Sequence, residues 1–61
     1  MHQKDIHLAA KLLIEHYGPN AAQQAAATLD ALQRRGDAES AAGWRRVLQM
    51  ILEIQGSGTK H

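Results

Sequence analysis

The side chains of this 61-residue chain that could hold a metal or move a proton are four histidines, six scattered carboxylates and no cysteine. Zinc on a helix takes ligands three or four residues apart, so that both face one way. His7 and His16 are nine apart, about half a turn out of phase on a helix. His2 and His61 stand near the two ends, and Glu15 adjoins His16, so that those neighbouring side chains diverge. The pattern predicts no metal site and no cofactor. Nucleophilic catalysis needs a nucleophile, a base and an orienting group. The only hydroxyls are Thr28, Ser40, Ser57, Thr59 and Tyr17, and none sits in a glycine-rich elbow. Gly56-Ser57-Gly58 stands in a tail rather than in a phosphate loop. The reading is therefore of a non-enzyme, without catalytic residues.

The arginine pairs Arg34-Arg35 and Arg45-Arg46 are the remaining candidates for a ligand. Together they could form one basic patch that contacts a nucleic acid backbone. Asp37 and Glu39 lie between the pairs, and Asp30 and Glu53 lie near them in the helical period. A solvated face with Arg–carboxylate pairs is the favoured reading, and nucleic-acid contact is the alternative. Trp44, the single Trp, is expected to anchor the core, a role compatible with an interface position.

Three helices must position these side chains. Ile6, Ala9, Ala10, Leu13 and Tyr17 share one face of a helix over about 5–17. Leu8 and Leu12 form a separate ridge on nearly the opposite side. Gly18-Pro19-Asn20 is a break: glycine can end a helix, proline cannot continue it, and Asn20 can cap the next, with Gln23 at capping-box spacing. The second helix, about 21–35, has a narrow face of Ala22, Ala25, Ala26, Leu29 and Leu32. Arg34 and Arg35 suit its last turn, and Gly36 its end. Asp37 is the expected N-cap of a third helix over about 38–55. Residues 57–61 are expected to be a flexible tail after a single helical domain, 1–56.

The third helix carries two adjoining apolar stripes. Gly43, Val47, Met50 and Ile54 recur at i, i+4, i+7 and i+11, and Trp44, Leu48 and Ile51 follow the same period beside them. One stripe suffices to pack a helix on its own chain. The second calls for another partner, most simply a second copy. Composition points the same way. Alanine is abundant and Phe is absent, so burial per chain is modest, and so small a domain commonly needs oligomerisation. The expected fold is all-α: a three-helix unit that pairs into a homodimeric helical bundle through Leu8, Leu12, Gly43, Val47, Met50 and Ile54. Gly43 would cost about 1 kcal/mol in a helix relative to Ala, and close approach of a neighbouring backbone is its favoured explanation.

His16-Tyr17-Gly18, Ala22 with Ala26, Leu29, Leu32, Gly36-Asp37 and Trp44-Arg45 together resemble a group of short bacterial helical proteins with a Gly-Asp turn followed by a Trp-Arg helix. The likeness spans most of residues 9–54, and this chain has fewer aromatics. That group has no established activity, so the resemblance implies a bacterial or phage origin and no site residues. The net charge of +1 exerts no strong pull on nucleic acid or anionic lipid. No apolar run approaches the ~20 residues that span a bilayer, and no signal-peptide pattern begins the chain. The expected setting is the cytoplasm. The expected function is that of a homo-oligomeric protein–protein interaction module or small regulator.

Overall fold

The computed structural model of the chain describes residues 2–57. Gly58–His61, which include His61 and most of the expected tail, lie outside the described residues. The described chain is all-α: α1 spans Gln3–Tyr17, α2 spans Ala21–Arg34 and α3 spans Ala38–Ser57. The sequence predicts two breaks between three helices, but helical backbone is interrupted only at Arg35–Asp37. Gly18–Asn20 forms a single 3-10 turn that runs directly into α2, so residues 3–34 are one bent helical run. Gly56 and Ser57, expected beyond the helix, belong to α3.

The two turns are built differently. At the first, Gly18 has φ 57 and ψ −125, and its N–H bonds the Ile14 carbonyl. Positive φ with such a ψ lies outside the left-handed helical well and is open essentially to glycine alone. Asn20 does not cap α2. Its backbone is near-helical, at φ −92 and ψ 4, and no cap bond is made by its side chain. A capping side chain needs an extended backbone at its own residue, and the 3-10 turn removes it. The expected Asn20–Gln23 capping box is therefore absent.

At the second turn Gly36 takes φ 78. The Gly36 N–H bonds the Gln33 carbonyl at 3.1 Å and the Asp37 N–H bonds the Leu32 carbonyl at 3.0 Å. This pair of bonds is the Schellman closure of a helix. Asp37 then starts α3: its Oδ1 accepts the Ser40 N–H at 3.2 Å, and its carbonyl accepts the Ala41 N–H at 2.9 Å. One residue thus closes α2 and opens α3.

The core is small and rich in alanine. Ile6, Ala10, Ala21, Ala25, Ala41, Val47 and Ile51 are buried, and only three of these are large. Complete burial of each large one is worth roughly 2 kcal/mol. Ala9, Leu13, Ile14, Ala22, Trp44, Leu48 and Met50 pack half-buried against this centre. On α1 the expected face holds except at Tyr17, the last residue of the helix, which is 45% exposed at the bend. On α2 the buried face is rotated: Ala21 is buried in place of Ala26, which is exposed, and Thr28 is half-buried. The Thr28 hydroxyl donates to the Gln24 carbonyl at 3.1 Å.

Both stripes of α3 find partners within the chain. Gly43 and Met50 border hollows that include Ile6 of α1. Ala41, a turn before Trp44 and Leu48, borders one with Gln33 and Gly36 at the end of α2. Val47 of one stripe and Ile51 of the other share one core with Ile6 and Ala10 of α1 and Ala21 and Ala25 of α2. One long-range hydrogen bond fastens the arrangement: Gln55 Nε2 donates to the Gly18 carbonyl at 2.8 Å, joining the last turns of α3 to the α1–α2 corner.

Candidate interaction surface

Of the six residues predicted to face a second copy, Val47 is corrected by the structure. It is 0% exposed and packs with Ile6, Ala10, Ala21, Ala25 and Ile51. Residues of both α1 and α2 share its core cluster, so Val47 offers nothing to a partner. Gly43 is half-buried beside Ile6. Toward the end of the stripe the cover thins: Met50 is half-buried and Ile54 is 41% exposed.

Leu8 and Leu12 stand on the outside of α1, 54% and 44% exposed. Leu8 and Met50 line one surface groove with Gln3, Lys4, His7 and Lys11. The structure therefore brings Leu8 and Met50, 42 residues apart in the chain, to one place. Leu52, 54% exposed, is a further large apolar residue on the surface. Sequence reasoning passed over it because it falls on neither stripe, although it stands one turn after Leu48.

Arg34, Arg35 and Arg45 stand at the α2–α3 turn, whereas Arg46 borders hollows that open toward α1. Arg34 Nε pairs with Asp30 Oδ2 at 2.9 Å across one turn of α2, a surface pair worth a few tenths of a kcal/mol (~0.3). Arg45 borders the hollow at the α2–α3 turn, with Gln33, Gly36 and Ala38. Arg46 borders a different hollow, with Gln3, Gln49 and Glu53. Arg35 is exposed at the turn itself, near Asp37. The Asp37 carboxyl is held below its usual range by its hydrogen bonds from the Ser40 side chain and backbone, with Arg35 adding a smaller attraction. Trp44 is half-buried against the core and reaches a hollow lined by Glu39, Ser40 and Gly43.

His7 and His16 are both exposed on α1, and no cluster of three or more His, Asp or Glu occurs among the described residues. No helix of the described residues is long and apolar enough to cross a membrane. No protein-family model, curated protein or solved structure matches this chain.

Proposed function

We propose that this chain is a non-enzymatic helical interaction module that works as a homo-oligomer. One observation carries the reading. Among the described residues five large apolar side chains are exposed (Leu8, Leu12, Tyr17, Leu52 and Ile54), whereas three are buried. Scattered leucines on a surface need no explanation. A domain of this size with so thin a core is a different case, because association is one of the few ways left to stabilise it. Leu8, Leu12 and Met50 are the side chains best placed to serve, since Leu8 and Met50 border one groove and Leu12 stands one turn beyond Leu8 on the outer face of α1. The resemblance to short bacterial helical proteins rests on its own residues and adds no activity. A cytoplasmic setting and a second protein as further partner belong to the same reading.

Size-exclusion chromatography with light scattering at about 10 µM tests the proposal. The expected result is a mass near twice that of one chain, falling to one chain for Met50→Glu. A well-folded monomer of the unaltered chain overturns it. Nucleic-acid contact has less support, because Arg34 is engaged with Asp30 and Arg45 and Arg46 border separate hollows. A low-salt gel shift lost in the Arg45→Ala/Arg46→Ala double variant would restore that alternative.

A further inference from the structure

We infer that the second copy docks on the outer face of α1 in antiparallel register, with Leu8 of each copy against Leu12 of the other. This rests on the oligomeric reading above and names its face and partner.

The argument is one of charge complementarity. Lys4, Asp5, Leu8, Leu12, Glu15 and His16 are all exposed on α1. Residues eleven apart on a helix return to nearly the same direction, about 20° off. Lys4 and Glu15 therefore share one flank of the leucine ridge, and Asp5 and His16 share the other. A two-fold axis perpendicular to two antiparallel helices brings like flank to like flank. With Leu8 opposite Leu12, the centre falls at position 10. Lys4 then lies within about 1.5 Å of the level of Glu15 on the other copy, and Asp5 within about 1.5 Å of the level of His16. Each pairing occurs twice by symmetry, as an isologous interface requires. The outer face thus repeats as a polar palindrome around two leucines, Lys-Asp before them and Glu-His after.

A parallel pair would set opposite flanks together, Lys4 against Asp5 and Glu15 against His16, but with the two helix dipoles aligned side by side. The antiparallel pair opposes the dipoles. Charge exchange separates the two registers, since only the antiparallel pair recovers in the double variant Lys4→Glu/Glu15→Lys. Lys11 is the one cation near the proposed axis that approaches itself, and Glu15 stands one turn away on the same chain to offset it. Met50 lines a groove with Lys4, Leu8 and Lys11, on the Lys4 flank of the ridge.

Charge exchange tests this pairing, with dimer dissociation followed by sedimentation equilibrium. Lys4→Glu and Glu15→Lys are each expected to weaken the dimer about tenfold, because each turns two attractions into repulsions. The double variant Lys4→Glu/Glu15→Lys should recover to within about threefold of the unaltered chain, as a coupled pair does. An equimolar mixture of the two single variants should associate more tightly than either alone. Leu8→Ala/Leu12→Ala should be monomeric at about 10 µM with its helical circular dichroism kept, since both residues are exposed. An oligomer that is indifferent to the charge reversals, or a double variant without recovery, overturns the pairing and leaves the oligomeric reading standing. A monomeric unaltered chain overturns both.

Discussion

The two chain reversals look alike as letters and are built on different principles. Gly36-Asp37 is closed by its own neighbours: two carbonyls of the last turn of α2, and the first amides of α3. Gly18-Pro19-Asn20 has no side-chain cap; the Gly18 N–H bonds the Ile14 carbonyl, the Ala21 N–H bonds the Gly18 carbonyl, and that carbonyl accepts a further bond from Gln55, 37 positions away. A turn of the first kind forms as soon as its helices do. One of the second kind gains a further, long-range bond when α3 docks. Local chemistry therefore defines where α2 ends and α3 begins, and tertiary packing defines the angle at which α1 meets α2.

Substitutions at the two turns should separate these principles. The largest effect is expected for Gly18→Ala. Its backbone lies outside the wells open to L residues, so the loss should be about 2 kcal/mol, read as a fall in the urea midpoint at unchanged slope. There is room for a methyl group at Gly18, so a small loss would show that the backbone there relaxes cheaply. Gln55→Ala should cost about 1 kcal/mol. Its distinguishing mark is faster amide exchange at residues 18–21 than at residues 36–41; equal change at both turns would contradict the special role of this bond. Gly36→Ala should cost slightly less, up to about 1 kcal/mol, since the left-handed region is less hostile to alanine.

Asp37→Ala comes next, and its effect depends on pH. The carboxyl is held below its usual value in the fold, so the unfolded chain binds more protons as the solution is acidified. The stabilisation from Asp37 is complete above the ordinary carboxyl range near pH 4 and disappears as pH falls through the lowered value. Melting temperatures of the two proteins should differ at pH 7 and converge on acidification below about pH 4. A constant difference over that range would show that ionisation of Asp37 does not support the turn. The smallest effect is expected for Asn20→Ala, within about 0.5 kcal/mol of the unaltered chain, because no cap bond is lost. A loss of a full cap, about 1 kcal/mol, would restore the capping box that the sequence suggests.

Much of the local plan was legible. Asp37 before an apolar-periodic run signals an N-cap, and Gly36 signals a helix end, because both act within a few residues of themselves. The inner face of α1 was legible from its period down to Leu13. Ala26 and Ala21 were not distinguishable, since both are small, helical and at plausible spacing; the docking angle of α2 chose between them. For the surface, the exposed Leu8–Leu12 ridge was visible as a second apolar direction on α1. Its proximity to Met50 was not, because nothing in local spacing records which helix edge faces which.

The double stripe of α3 shows most plainly what each level decides. Composition and period determined that α3 is helical and broadly apolar, with one stripe expected on its own chain and the other on a second copy. Only the tertiary structure decided that α1 and α2 supply much of that cover, so that Val47 is sealed while Met50 and Ile54 lie toward the surface. The reason is geometric. Helical period depends on bonds four residues long, whereas the reach of α1 across α3 depends on the bend at Gly18, on a bond to Gln55 and on how closely alanines let the helices approach.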